Sequence, residues 1–248
     1  MRPFVNRQVA ALPPSGIRKF FDLVERSTDI ISLGVGEPDF TTPQHIRAAA
    51  IRSLEQGRTS YTSNWGLLEL RQAIRDHLAG WQGLTYDPEG EILVTVGVAE
   101  ALDLALRAVV EPGDEVLIPE PCFVSYAPCA ALAGGRVVPV PLQASEGFKL
   151  TPERLLARVT GRSKVLMLAF PANPTGAVMT ADELAAIARI AIEHDLIVIS
   201  DEIYGELTYQ GEHRSIATLP GMRERTILLN GVSKAYAMTG WRIGYACG

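Results

Sequence analysis

The sequence contains few cysteines, and their positions argue against several kinds of site. Its 248 residues include Cys122, Cys129 and Cys247, an odd number without the spacing of metal ligands. Neither a disulfide framework nor a zinc motif is therefore predicted. Reduced thiols are typical of cytoplasmic proteins, and we expect that location. A redox pair formed by Cys122 and Cys129 is the minor alternative to small buried thiols.

The sequence also lacks a dominant charge and a long apolar run. Its formal net charge is −5 and it has no basic cluster, so neither nucleic acid nor a membrane surface is an expected partner. It has no run of about eighteen apolar residues that would span a bilayer, and its N-terminal residues do not resemble a secretory signal. The four histidines show no ligand spacing, so no metal site is predicted. The 47% hydrophobic composition is ordinary for a globular chain with a large core.

Lysine is scarce, and one of the four lysines stands in unusual surroundings. Lys19 lies in a polar stretch, Lys149 in a predicted loop and Lys164 at the start of a predicted strand. Lys234 instead follows an apolar strand and lies among small residues, eight positions before Arg242. Burial disfavours the charged form of an amine, and a neutral amine is a nucleophile for carbonyl groups. We therefore interpret Lys234 as a residue that forms a Schiff base.

From about residue 91, short apolar runs alternate with helix-like stretches. The predicted strands are Ile92–Val96, Glu115–Ile118, Arg136–Pro141, Lys164–Ala169, Leu196–Ser200, Thr226–Asn230 and Ile243–Cys247. The predicted helices between them are Val98–Val110, Phe123–Ala133, Pro152–Val159 and Ala181–His194. This alternation predicts an α/β fold with a mostly parallel seven-stranded sheet covered by helices on both faces. In such a sheet, ligands bind at the carboxyl ends of the strands.

The first ninety residues follow a different pattern. Helices are predicted at Pro14–Arg26, Pro43–Glu55 and Leu67–Ala79, joined by turn-rich segments. Two of these segments, Gly34–Phe40 and Ser60–Gly66, are more specific than ordinary connecting loops.

Polar residues follow several of the predicted strands. The turn at Gly97 leads directly into a helix, whose free N–H groups suit a phosphate or carboxylate, although a plain turn has the same pattern. Asn173 lies in a rigid turn made by two prolines and a glycine, and it either serves that turn or faces a ligand. Asp201 follows an apolar strand and needs a cationic partner if it is buried, or else it is a satisfied helix cap. Tyr204 follows three residues later.

Together with Lys234 and Arg242, these residues are expected to meet at one edge of the sheet. An amine, a carboxylate, hydrogen-bonding groups and a phosphate site are what pyridoxal 5′-phosphate requires. This cofactor carries an aldehyde, a ring nitrogen, a phenolic oxygen and a phosphate. The sequence therefore predicts a site for pyridoxal phosphate.

Five motifs, in order along the chain, resemble those of the class I/II aminotransferases, the fold-type I enzymes that depend on pyridoxal phosphate. They are Gly36–Phe40, Tyr61–Gly66, Asn173–Gly176, Ser200–Tyr204 and Gly231–Gly244. The resemblance covers residues 31–248, which it implies to be the cofactor-binding large domain, preceded by an N-terminal arm and helix at residues 1–30. The family continues into a C-terminal small domain that we expect to be absent from this chain.

The resemblance implies a set of roles around the cofactor ring. Lys234 would be the Schiff-base lysine and the proton carrier, and Asp201 would pair with the ring nitrogen. Tyr204 and Asn173 would contact the phenolic oxygen, and Asn173 would also lie beside the substrate. Phe123 stands where the family places an aromatic ring stacked on the cofactor.

The resemblance also implies roles around the phosphate and the substrate. Val98 and Ala99 would offer backbone N–H groups to the phosphate, and Arg242 its guanidinium. Tyr61 would reach the phosphate of a second subunit, which implies a homodimer with shared active sites. Gly36 would lie beside the substrate carboxylate.

The sequence departs from the family pattern at two positions of the site. Ala99 stands where some aspartate-specific relatives have a lysine, which puts a preference for aspartate in doubt. Gly231 lacks the hydroxyl that other members supply to the phosphate.

The function that the resemblance implies is transfer of an amino group between an L-amino acid and a 2-oxo acid. A carbon–sulfur lyase or a synthase on the same scaffold is the alternative, because it begins with the same proton abstraction. A cofactor-binding fragment without turnover is a third possibility, and a regulator is disfavoured because no DNA-binding segment is found.

Overall fold

The structure is a computed structural model that describes residues 4–13 and 36–248. The helix predicted at Pro14–Arg26 lies outside the described residues, as do Lys19 and Gly34. All seven predicted strands are confirmed, each within two residues of its expected bounds. They are β1 (Ile92–Thr95), β2 (Glu115–Glu120), β3 (Arg136–Pro141), β4 (Ser163–Ala169), β5 (Ile197–Asp201), β6 (Thr226–Gly231) and β7 (Gly244–Cys247).

The seven strands form one mixed sheet in the order β1-β7-β6-β5-β4-β2-β3. Strand β7 is antiparallel to both of its neighbours, and the pairs β6-β5, β5-β4, β4-β2 and β2-β3 are parallel. The prediction of a mostly parallel sheet is therefore confirmed, with β7 as the strand that runs against the others. Because the other six strands run in one direction, their carboxyl ends lie along one edge of the sheet.

Most of the helices lie at the predicted places, before β1 or between the strands, whereas the short first helix was not predicted. They are α1 (Arg7–Ala11), α2 (Gln44–Glu55), α3 (Leu68–Gln82), α4 (Val98–Val109), α5 (Tyr126–Leu132), α6 (Pro152–Leu156) and α7 (Ala181–Glu193). A capping box marks the start of α7, since Thr180 and Glu183 bond each other's backbone N–H groups. Among the described residues, none of these helices is long and apolar enough to cross a membrane.

The core lies on both faces of the sheet because strand side chains alternate between them. In β2, Leu117 belongs to the cluster that packs under α6 and α7, whereas Val116 and Ile118 belong to the cluster under α4 and α5. A third cluster packs α3 against β1 and β7. Helix α2 has no buried residue, and its Ile51 and Leu54 side chains are 55% and 65% exposed.

One helix begins later than the sequence indicates. The predicted helix Phe123–Ala133 starts at Tyr126, after a turn. Phe123 therefore lies in the turn that follows β2, at the edge of the sheet where ligands are expected, and not on the helix face.

Candidate active site

A cavity of about 550 Å³ opens at the carboxyl edge of the sheet, between α4, the turn after β2 and the loop after β6. Nine of the ten residues predicted for the site line this cavity. They are Gly36, Val98, Ala99, Phe123, Asn173, Asp201, Tyr204, Lys234 and Arg242. The sheet thus brings together residues that are separated by up to about two hundred positions in the sequence.

One wall of the cavity is the start of α4, where the chain turns sharply at Gly97. Gly97 has φ +74°, and a Cβ atom there would overlap the guanidinium of Arg242. Gly244 lies against the same turn, because its Cβ would come within 2.5 Å of the Val98 nitrogen. The first N–H groups of a helix have no partner within it and attract anions. Because Gly97 and Gly244 have no side chains, the Arg242 guanidinium can lie beside the N-terminus of α4 in the cavity wall.

Arg242 has an unusual backbone conformation. Its φ of +57° lies in the left-handed region, and its Nη1 atom donates to the Thr239 carbonyl at 3.0 Å. Such a conformation costs free energy for a residue with a side chain, so the surrounding structure holds it in place. The result is a guanidinium fixed beside Gly97.

Asp201, the last residue of β5, points into the cavity and is 7% exposed. Its Oδ2 atom accepts a hydrogen bond from the Tyr126 hydroxyl at 2.8 Å, and Oδ1 accepts one from the Ile203 backbone N–H at 3.2 Å. Burial, with a smaller contribution from Glu202, raises the pKa of Asp201 to about 6, although the two hydrogen bonds oppose the rise. Among the described residues no cation pairs with this carboxylate.

Lys234 reaches the cavity from the loop after β6. Its Nζ atom donates to the carbonyl of Gly36 and lies 5.7 Å from the centre of the Tyr204 ring. Burial lowers the pKa of Lys234, and Arg242 lowers it further, while Glu37 opposes both effects. The amine therefore loses its proton more readily than an exposed lysine does.

Three more predicted residues, Tyr204, Asn173 and Phe123, line the same cavity. Burial raises the pKa of Tyr204, Asp201 raises it further, and a side-chain contact with Asn173 opposes the rise. The Phe123 ring packs edge-on against the Tyr126 ring, with 5.6 Å between centroids and 77° between planes. These side chains give the cavity an aromatic and an amide surface beside the carboxylate.

Tyr61 is the one predicted residue that does not line the cavity. Its side chain is fully exposed in this chain. Outside the predicted set, three residues with hydroxyl groups also line the cavity, Tyr126, Ser233 and Thr239. Tyr126 lies three positions after Phe123 in the same segment, and that spacing was the available signal. Ser233 and Thr239 were inside the lysine motif but carried no separate signal.

The loop that carries Lys234 is held by the segment that begins at Gly36. The Thr42 hydroxyl donates to the Ala237 carbonyl and accepts a hydrogen bond from Trp241 Nε1 at 3.1 Å. Thr239 donates to Glu37 at 3.1 Å. Residues near the start of the chain therefore fix the loop that presents the amine.

The arrangement fits pyridoxal phosphate. The cavity joins a buried carboxylate without a cationic partner, an amine with a lowered pKa, and a helix start beside an arginine. The carboxylate suits a cationic ring nitrogen, and the helix start with Arg242 suits a phosphate. Gly97 lets the Arg242 guanidinium approach the start of α4, and Gly244 lets its strand pack against that turn, because a Cβ atom at either position would overlap these groups.

Comparison with known proteins identifies the family to which the chain belongs. Residues 28–248 match the family model described as aminotransferase class I and II. The chain is 53% identical over 246 residues to the putative aminotransferase YugH of Bacillus subtilis, a match that covers 99% of this chain and 64% of that protein. It is 50% identical over 233 residues to an aspartate aminotransferase of Pyrococcus abyssi, covering 94% and 60% respectively.

Solved structures give the same result for the fold. The aspartate aminotransferase of Thermus thermophilus with maleate is 45% identical and superposes with a TM-score of 0.94, covering 100% of this chain and 65% of that one. The chain thus spans less than two thirds of the length of these relatives. Its sequence motifs, its mixed seven-stranded sheet and these matches show that the chain belongs to the class I and II aminotransferase family, whose fold-type I members depend on pyridoxal phosphate.

Proposed function

We propose that residues 31–248 form the pyridoxal-phosphate-binding large domain of an aminotransferase, which moves an amino group between an L-amino acid and a 2-oxo acid. The observation that carries the proposal is the meeting of Lys234, Asp201 and Arg242 in one cavity at the start of α4. No two of these residues are adjacent in the sequence. Their convergence therefore depends on the fold.

Pyridoxal phosphate, when bound, supplies an aldehyde that accepts the amino group and a protonated ring that withdraws electrons from the substrate α-carbon. Lys234 would attach the cofactor and carry the proton. Its lowered pKa increases the share of neutral amine at Nζ, which is the form that attacks a carbonyl and accepts a proton. The hydrogen bond to the Gly36 carbonyl orients Nζ before the cofactor or substrate arrives.

Asp201 would hold the ring nitrogen in its protonated form. A cation that enters the cavity beside this buried carboxylate favours the charged form and lowers its pKa below the value of about 6 found without a partner. Tyr204 and Asn173 would bind the phenolic oxygen, and Phe123 would cover one face of the ring. Asn173 would also contact the substrate.

The start of α4 would hold the phosphate. An anion is suited by two kinds of donor here. The backbone N–H groups of Val98 and Ala99 carry a partial positive charge, and the guanidinium of Arg242 carries a full one. Gly36 would lie beside the substrate carboxylate, on the side of the cavity that Lys234 faces.

We further propose a homodimer in which Tyr61 of one subunit contacts the phosphate site of the other. Support comes from the complete exposure of this aromatic side chain and from the exposed Ile51 and Leu54 of the unburied helix α2. Exposed apolar groups of this kind are common at interfaces between subunits. A cytoplasmic location is proposed because the three cysteines are free.

The amino donor is proposed only as a class, an L-amino acid. The relatives carry names as different as aspartate aminotransferase and aromatic-amino-acid aminotransferase 2. Specificity follows from a few contacts to the substrate side chain. At the helix start, Ala99 offers no charge to a second carboxylate.

The test uses the protein with added pyridoxal phosphate. Borohydride reduction should fix the cofactor covalently on Lys234, as identified by peptide mass, and the Lys234→Ala variant should retain no adduct. The matched control is Lys149→Ala, because Lys149 lies outside the cavity and pairs with Glu183 at 2.7 Å. That variant should be labelled like the wild type.

A second step distinguishes the reactions. Glutamate should convert the bound cofactor to its pyridoxamine form and release 2-oxoglutarate in equal amount. Labelling of other lysines at the same rate as Lys234 would overturn the assignment of the site. Release of pyruvate and ammonia from an amino acid, without a 2-oxo acid acceptor, would replace the aminotransferase by a lyase.

A further inference from the structure

Tyr126 is a buried tyrosine whose hydroxyl is committed to one carboxylate. It begins α5, is 4% exposed, and donates from its hydroxyl to Asp201 Oδ2 at 2.8 Å. Its ring is held by the edge-on contact with Phe123. The two rings and the carboxylate therefore form one packed unit at the base of the cavity.

We propose that Tyr126 is a positioning residue for Asp201, which fixes the carboxylate so that its free lone pairs face the cavity. Each carboxylate oxygen accepts one hydrogen bond, Oδ2 from Tyr126 and Oδ1 from the Ile203 N–H. Two donors on two oxygens define the plane of the group, and each oxygen keeps a further lone pair. The value of this orientation for binding a ring nitrogen rests on the proposed function.

The chemical type of the donor matters because the charge of Asp201 must stay available. A lysine or arginine at this place would orient the carboxylate equally well but would neutralise it and compete with a cationic ligand. A phenol supplies a hydrogen bond without a charge. Burial keeps the Tyr126 pKa well above its ordinary value, and Asp201 raises it further, so the hydroxyl keeps its proton.

Other titratable groups face this pair from each neighbouring element. Glu202 follows Asp201 on the same segment, Cys122 precedes Tyr126 in the turn after β2, and Tyr204 lies beyond β5. Glu202 raises the pKa of Asp201, whereas the Tyr126 hydroxyl lowers it by stabilising the ionised form. Loss of the hydroxyl alone should therefore raise the pKa of Asp201.

The test is the pKa of Asp201 in protein without cofactor, followed by the infrared or carbon NMR signal of its carboxyl group and assigned with Asp201→Asn. Tyr126→Phe should raise the midpoint by about one pH unit, because a hydrogen bond to a charged group is lost from a buried site. The matched control is Tyr86→Phe. Tyr86 is fully buried, and its hydroxyl has no partner among the described residues.

Tyr86→Phe should leave the Asp201 midpoint unchanged. Both variants keep the aromatic ring, so packing is retained in each. An unchanged midpoint in Tyr126→Phe, or an equal rise in both variants, would overturn the role of Tyr126. The measurement needs no cofactor. A rise in the Asp201 midpoint would therefore support the positioning role of Tyr126 even if Lys234 were not labelled and the proposed function were wrong.

Discussion

Asp201 and Glu202 are consecutive residues at the end of β5, yet their carboxylates lie in different environments. Both are buried, at 7% and 1% exposure. Successive side chains of an extended segment point to opposite faces of the sheet. Asp201 consequently faces the cavity that contains Lys234, whereas Glu202 faces a polar network on the other side.

Glu202 has donors for both of its oxygens. Oε1 accepts hydrogen bonds from Ser215 at 2.6 Å and Ser200 at 2.9 Å, and Oε2 lies 2.8 Å from His213 Nε2. The His213 ring stacks on Trp81 at 5.3 Å. This network ties the segment around residue 213 to the sheet and to α3.

The difference separates a structural carboxylate from one that is available to a ligand. Buried polar groups are normally satisfied, and Glu202 follows that rule with three partners. Asp201 has only two neutral donors among the described residues, and its pKa is raised to about 6. Two titratable neighbours with unlike environments are a frequent mark of an active site, where the less satisfied group does the chemistry.

The largest expected effect is the loss of stability in Glu202→Ala. The change leaves His213, Ser200 and Ser215 buried without their acceptor, which should cost about 3–5 kcal/mol of unfolding free energy. Urea denaturation measures the loss, and Glu202→Gln, which keeps an acceptor oxygen, should lose less. A cost below about 1 kcal/mol for the alanine variant would contradict the structural role of Glu202.

The second prediction concerns the pH dependence of stability on the cavity side. The pKa of Asp201 is raised from 3.8 to about 6, so the folded state binds the proton more tightly than the unfolded state. The stability that this proton contributes is full below pH 3.8 and is lost as the pH rises to about 6, by about 3 kcal/mol as an upper value.

Asp201→Asn should abolish this loss. The difference in unfolding free energy between wild type and variant, followed from pH 3.5 to 7 without cofactor, is the measurement. The unfolding free energy of Asp201→Asn, relative to that of the wild type, should increase as the pH rises from 3.5 to 7. A constant difference would show that Asp201 has an ordinary pKa.

A third change tests packing on the cavity side. A Cβ atom at Gly231 would come within 2.8 Å of the Ile243 carbonyl and 2.9 Å of the Gly244 Cα. Gly231→Ser should therefore cost about 1–3 kcal/mol, because backbone atoms must move. The control is Gly240→Ala, since a Cβ at Gly240 meets no atom within 4 Å. Equal thermal stability of both variants and the wild type would refute the tight contact.

The smallest expected difference is between two buried serines. Ser215→Ala removes a donor from Glu202 and should cost about 1–3 kcal/mol. Ser233 lines the cavity, and Ser233→Ala should stay within about 0.5 kcal/mol of the wild type without cofactor. Denaturation of the two variants in parallel gives the comparison. A larger loss of unfolding free energy in Ser233→Ala than in Ser215→Ala would contradict the view that the Glu202 network is structural and the cavity is not.

Local sequence patterns were sufficient for the elements of the fold. Continuous apolar runs predicted the bounds of the seven strands to within two residues, and the capping box of Thr180 and Glu183 marked the start of α7. These signals are local, since strand patterns and helix caps depend on residues a few positions apart. The start of α5 was placed three residues early because the turn at Phe123 has no glycine or proline of its own.

The site was predicted less completely than the fold. Asp201 and Lys234 stood out because a polar group that follows an apolar strand is costly to bury unless it is used, and Arg242 stood out because it lies eight positions after Lys234. Tyr126 did not stand out, since a tyrosine in an apolar helix pattern is ordinary core. Its hydrogen bond to Asp201 joins residues 75 positions apart.

The sequence by itself determined the strands, the helix caps and the chemical types of the site residues, because each of these depends on near neighbours. The tertiary structure decided which of two adjacent carboxylates faces the cavity. It also decided that Thr42 holds the loop of Lys234 and that Tyr61 lies outside the cavity of its own chain. The physical reason is that burial, pKa and hydrogen-bond partners depend on groups that meet only when the sheet has formed.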